Sequence, residues 1–237
     1  MGGILGGIVD PSERGQEMVR LGREGTASMN AYLRAVVDDR RRNPAGDLIS
    51  ALVASEVARD EMTEAEIVAS ITQLVFAGNE TTANLMALTL LALAEHPEQR
   101  ALLEADRSLV PAAVEEANRW QTPVALKTRH ARGGAAEIAG VPIPDGDLVI
   151  TLQIAANRDP ARWSDPATFD VERPALPHLG FGFGRHICLG LNLARLEMIV
   201  WLNRLLDEVP DWEVVGEVDF ANNFWVRGPK SLTVRGS

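Results

Sequence analysis

The chain has 237 residues, enough for one large domain or two small ones, and 46% of them are hydrophobic, which readily supplies a core. A net charge of −10, with no basic stripe to neutralise phosphates, argues against a nucleic-acid binder. The single cysteine excludes an internal disulfide framework and fits a reducing cytoplasm, and residues 1–9 are too short an apolar run for a signal-peptide core or a membrane span.

Residues 13–42 carry a helical pattern, with Met18, Leu21, Met29, Leu33, Val36 and Val37 spaced as one face. The basic run Arg40, Arg41 and Arg42 closes it as a solvated terminus favoured by the helix dipole, just before Pro44. Asp47 reads as the N-cap of a short helix through Leu48, Ile49, Leu52 and Val53. Thr63 and Glu66 then form a capping-box pattern that opens a long helix running to Leu93 and stopped at Pro97. About thirty residues at 1.5 Å each give roughly 45 Å, and apolar residues on nearly every face predict burial on all sides. Such a helix leaves a side bare if its neighbours are absent.

Two more helices are expected over 97–103 and 111–120. Between 127 and 151 the pattern shifts to short strands, with turns at Gly133, Gly134 and around Gly146. The stretch 157–177 is rich in Pro, Asp and Arg without periodicity and predicts an ordered meander. A helix over 189–206 and short strands across 212–234 complete the chain. No repeat, linker or charge break divides it, so one continuous domain over 1–237 is expected, mostly α with a small β region.

Residues 181–190 read Phe-Gly-Phe-Gly-Arg-His-Ile-Cys-Leu-Gly and place Cys188 at the opening of an apolar helix. Unpaired backbone N–H groups and partial positive charge at such an end favour a thiolate over a thiol. Gly182, Gly184 and Gly190 let backbone approach a bulky planar ligand. One shielded thiolate in a glycine-rich loop suits a haem iron; a structural zinc would need three further ligands, which the neighbouring residues do not supply.

At Phe181, Gly184, His186, Cys188 and Gly190 the loop resembles that of the cytochrome P-450 family of haem-thiolate monooxygenases, Phe-x-x-Gly-x-Arg/His-x-Cys-x-Gly. Three further motifs follow the family's order: residues 77–82, Ala-Gly-Asn-Glu-Thr-Thr, resemble the oxygen-activating segment of the long central helix; Glu116 and Arg119 match Glu-x-x-Arg; and residues 169–173 resemble the segment whose arginine, Arg173, completes a Glu-Arg-Arg cluster. The resemblance runs from about Gly15 to the C-terminus. Family members carry a comparable length of chain before this point, so the sequence resembles the C-terminal portion of the fold, without the early helices and the loop over the substrate pocket.

What the resemblance implies is specific. Cys188 is the proximal ligand of haem b, iron protoporphyrin IX with an axial thiolate. Phe181 and Gly182 line the sulfur, and Gly190 follows it. Arg129 and His186 bind the haem propionates. Ala77 and Gly78 leave room for dioxygen and can loosen the helical ladder, while Glu80, Thr81 and Thr82 serve catalysis by delivering protons. Glu116, Arg119 and Arg173 form a structural network that locks the haem loop. The intact enzyme inserts one atom of O2 into a small apolar organic substrate, with electrons from a ferredoxin or flavodoxin and its NAD(P)H reductase. It uses neither nucleic acid nor membrane and works in the cytoplasm. Arg185 and Arg195 are offered as docking cations for an acidic partner. Residues 121–126 and the tail near 222–225 remain as walls of the substrate pocket. His96, His130 and His178, and the five tryptophans, read as packing residues.

Two rival readings stay open: a non-catalytic haem-binding remnant or fragment that needs its missing N-terminal half, and a redox-sensing thiol protein built on an exposed, reactive Cys188.

Overall fold

The computed structural model describes residues 12–55, 62–134, 136–174, 176–209, 211–221, 223 and 225–236. The glycine-rich opening 1–9, and Asn222 and Phe224 of the expected pocket wall, lie outside the described residues. The chain forms two compact units, Met1–Glu80 and Thr81–Ser237.

In the first unit, helix α1 (Glu13–Arg42) starts where Ser12 Oγ accepts from the Gly15 N–H at 3.1 Å. Its apolar face packs only in its second half, where Leu33 and Val37 meet Ile67, Val68 and Ile71, flanked by Met29, Ile49 and Leu52. Met18 and Leu21, expected on that face, stay exposed because the cluster begins at Met29. Helix α2 (Leu48–Ala54) is capped as the sequence predicts: Asp47 Oδ1 accepts from the Ser50 N–H at 2.8 Å. The basic end of α1 is a set of charged surface pairs, Arg40 with Asp47 at 2.6 Å and Arg41 with Glu64 at 3.0 Å.

Helix α3 (Glu64–Glu95) begins at a complete capping box, in which the Thr63 N–H donates to Glu66 Oε2 at 2.7 Å and the Glu66 N–H to Thr63 Oγ1 at 3.3 Å. Its 32 residues make it roughly 48 Å long. The expected burial on all sides is not met: Val75 and residues 77–80 are exposed, because the described chain supplies no neighbour to that stretch.

In the second unit, the rest of α3 packs with helices α4 (Pro97–Ala105), α5 (Val110–Trp120) and α7 (Leu191–Glu208) around Leu93, Leu103, Val110, Val114, Phe169, Met198, Leu202 and Leu206. Each such side chain contributes about 1.5–3 kcal/mol by leaving water. Strand β1 (Leu126–His130) pairs antiparallel with β4 (Leu148–Leu152), β2 (Ala136–Ile138) with β3 (Val141–Ile143), and β5 (Trp212–Val214) with β6 (Val234–Gly236). The one-turn helix α6 (Gln153–Ala156) leads into the meander. Gly228 lies directly against Asn84 of α3, where any side chain would collide, so the tail packs on that helix backbone to side chain. Trp163 and Trp212 are buried packing residues. Among the described residues no helix is long and apolar enough to cross a membrane.

Candidate haem site

The meander has little regular structure and is held instead by side chains bonding its backbone. Glu116 on α5 binds Arg119 through two bonds, Nε to Oε2 at 2.6 Å and Nη2 to Oε1 at 2.8 Å. Arg119 also donates to the carbonyls of Asn157, Pro166 and Thr168, and its guanidinium lies 5.2 Å from the Trp163 ring. Arg173 reaches the same carboxylate at 3.2 Å and donates to the carbonyls of Ser164, Asp165 and Thr168. The Asp170 N–H adds a fourth donor to Glu116 at 3.0 Å. The structure thus brings together Glu116, Arg119 and Arg173, which are separated by as many as 57 positions. The side chains of Glu116 and Arg119 are 2% and 1% exposed, so every lone pair and donor has to be met by protein.

The cysteine loop packs against the same helix. Gly180 sits so close to buried Asn118 that a Cβ there would come within 2.6 Å of its Oδ1. Gly182 and Gly184 take positive φ angles, 76° and 71°, which a side chain would strain. The loop closes on itself when the Cys188 N–H donates to the Phe181 carbonyl at 2.8 Å, after a 3₁₀ turn over Gly184–His186. Helix α7 is capped by Gly190, so Cys188 stands ahead of the helix rather than opening it. Its own N–H is used in closing the loop. Lys127 and Arg195 both interact electrostatically with Cys188, which is partly buried. Burial pushes the Lys127 ammonium below its ordinary value and neighbouring Arg129 pushes it further, while Cys188 opposes both.

Lys127 and Arg129 share one face of β1, as alternation along a strand requires. The Lys127 Nζ lies over Gly182, 2.5 Å from where a Cβ would stand. Arg129 is exposed and donates to the Thr128 carbonyl at 2.7 Å; His186 and Arg185 are exposed on the loop. Phe183 and Leu189 are 83% and 86% exposed, and Ile187 is exposed beside them.

A second carboxylate carries a cluster that motif reading missed. Glu115 accepts from Arg195 Nε at 2.7 Å and Nη2 at 2.9 Å, and lies 3.1 Å from His178 Nε2. His178 Nδ1 accepts from the Gly180 N–H at 3.0 Å, so Nε2 carries the proton that goes to Glu115. The Arg195 guanidinium lies 4.8 Å from the Phe181 ring. Burial would raise the Glu115 carboxyl, but hydrogen bonds from His178 and Arg195 outweigh it and hold it at about 2. Arg195 is therefore paired with Glu115 while 38% of its side chain stays exposed, and His178 is tied to the loop. With partners 63 and 80 positions away, no sequence spacing could have revealed the cluster.

On α3, Ala77, Gly78 and Glu80 end the first unit, exposed; Thr81 and buried Thr82 begin the second. The helix runs through all of them unbroken. Beyond its own helix backbone, nothing lies within 4 Å of where a Cβ on Gly78 would stand.

These residues fit a flat, largely apolar cofactor with anionic edges: one sulfur under cationic influence, backbone bared by two glycines, apolar side chains facing outward and cations on β1. Among the described residues, no group of three or more His, Cys, Asp or Glu side chains could hold a bare metal ion.

Comparison with known proteins agrees. The Cytochrome P450 family profile matches residues 8–220. Cytochrome P450 107B1 of Saccharopolyspora erythraea is 37% identical over 215 residues, covering 90% of this chain and 53% of that protein. Cytochrome P450 monooxygenase PikC of Streptomyces venezuelae is 38% identical over 213 residues, covering 88% of this chain and 51% of that protein. The solved structure of CYP109Q5 from Chondromyces apiculatus superposes with a TM-score of 0.87 at 40% identity, over 94% of this chain and 57% of that one. The chain spans about half the length of the curated relatives it matches. Its folded helices, its small sheets and its glycine-lined cysteine loop are those of part of a larger fold, and the chain belongs to the cytochrome P450 family.

Proposed function

We propose that this chain carries the haem-holding and oxygen-activating part of a P450 monooxygenase acting on a small apolar organic substrate. The observation that carries the reading is the closed loop around Cys188, with its amide bonded to Phe181 and its sulfur in the field of Lys127 and Arg195. The overall conversion takes RH, O2, two electrons and two protons to ROH and water. A ferredoxin or flavodoxin with its NAD(P)H reductase supplies the electrons, in the cytoplasm.

When bound, haem b supplies an iron whose thiolate ligand pushes electron density toward it and favours O–O cleavage. Cys188 is the residue that would hold it. Lys127 and Arg195 lie close enough to interact electrostatically with the sulfur, and Phe181 would shield it from water. Arg129 and His186 offer donors to the propionate carboxylates. Glu80, exposed on α3, would take up protons from solvent, and Thr81 and Thr82 would serve their delivery, the roles that the resemblance implies for them. Glu116, Arg119 and Arg173 hold the meander.

A second reading, that the chain holds haem only together with the remainder of a P450 fold, is favoured by the exposure of Phe183, Ile187, Leu189, Leu193 and Leu196. The CO difference spectrum of the reduced, hemin-loaded chain separates the two. A strongly red-shifted Soret band that Cys188→Ser abolishes is the expected result. An imidazole-like band, or a band retained in the serine variant, overturns thiolate ligation. Absence of haem from the chain alone selects the second reading.

A further inference from the structure

Adjacent residues on a helix point about 100° apart, so Glu115 and Glu116 serve different neighbours. Glu116 is committed to the meander. Glu115 collects Arg195 from α7 and His178 from the segment leading into the cysteine loop. Both partners then touch the loop itself. The Gly180 N–H is bonded to His178, and the Phe181 ring is covered by Arg195 at 4.8 Å and flanked by the His178 ring at 5.9 Å. The Phe181 carbonyl in turn receives the Cys188 N–H. One carboxylate is thus linked through two side chains to the residue that closes the loop.

We propose that Glu115 is the positioning residue of the cysteine loop, acting through the paired donors of Arg195 and the Nε2 proton of His178 to fix Phe181 and, through it, Cys188. Glu115 does not touch the sulfur. It sets where the sulfur is, while Glu116 sets where the meander is. The inference deepens the haem-thiolate reading and rests on it for its purpose, but its structural content holds in the haem-free chain.

The test is therefore amide hydrogen exchange on the full 237-residue chain without haem, wild type against Glu115→Gln. Glutamine keeps the shape but loses the charge and the paired acceptor. Exchange of the Gly180 and Cys188 amides is expected to quicken by about tenfold or more, while the Asp170 amide, bonded to Glu116, changes less than about twofold. Glu116→Gln should quicken the Asp170 amide, and through lost global stability the rest of the second unit with it. Arg195→Lys keeps a cation without the fork and is expected to loosen the same two amides; Glu115→Asp should restore part of the protection. Unchanged protection at Cys188, or quickening spread evenly over the chain, overturns the proposal. So does failure of both Glu115→Gln and Arg195→Lys to fold, since the cluster would then support the whole unit and not the loop. A failed haem spectrum leaves these exchange patterns readable, so the two ideas fall separately.

Discussion

Two carboxylates side by side on α5 carry different loads. Glu116 and its partner Arg119 are sealed from water, with side chains 2% and 1% exposed, and they bind backbone carbonyls of the meander as well as each other. Glu115 and Arg195 are open at 23% and 38%. Water can replace a lost partner at the second site and cannot at the first. The contrast separates a network on which folding depends from one that adjusts a loop, although both use the same chemistry of arginine and glutamate.

The most forceful way to break the comparison is Arg119→Ala. It strands a buried carboxylate and several carbonyls, and is expected to cost about 3–5 kcal/mol in urea unfolding. A loss below about 1 kcal/mol would mean that the two networks are equivalent. Acid sharpens the contrast from the other side. Because the Glu115 carboxyl sits at about 2 instead of 4.5, its contribution is fully present above about 4.5 and is lost as pH falls from there to about 2. That contribution is about 3 kcal/mol unscreened and about 1–2 kcal/mol once the water reaching Arg195 is allowed for. The stability difference between wild type and Glu115→Gln should shrink over that pH range; a constant difference would show that charge is not what Glu115 supplies. The smallest effect belongs to the fully surface pairing of Arg41 with Glu64, where Arg41→Ala should change stability by less than about 0.5 kcal/mol in the same unfolding measurement.

Helices with strong end signals were legible from sequence. The bounds 13–42, the capping box at Thr63 and the cap at Asp47 all depend on residues within one turn of each other. The helix α6 was not, because four residues are too few to show a period. The start of α7 was placed too early, since the glycines at 184 and 190 let the chain turn before the helix begins. At the site, Glu116, Arg119 and Arg173 are legible only through the ordered motifs that carry them, since a three-residue step between glutamate and arginine is common on helix surfaces. Lys127, Glu115 and His178 are not legible. Their neighbours come from other elements, brought near only by packing.

Leu189, Leu193, Leu196 and Val200 follow one another by four, three and four positions, a greasy ribbon facing away from Met198, Leu202 and Leu206. Its consequence is practical. Sulfate and other strongly hydrated anions raise the reward for hiding such a ribbon, so the chain will salt out sooner than its −10 charge alone would suggest. Glutamines at 193 and 196 would ease its handling without touching the opposite, packed side.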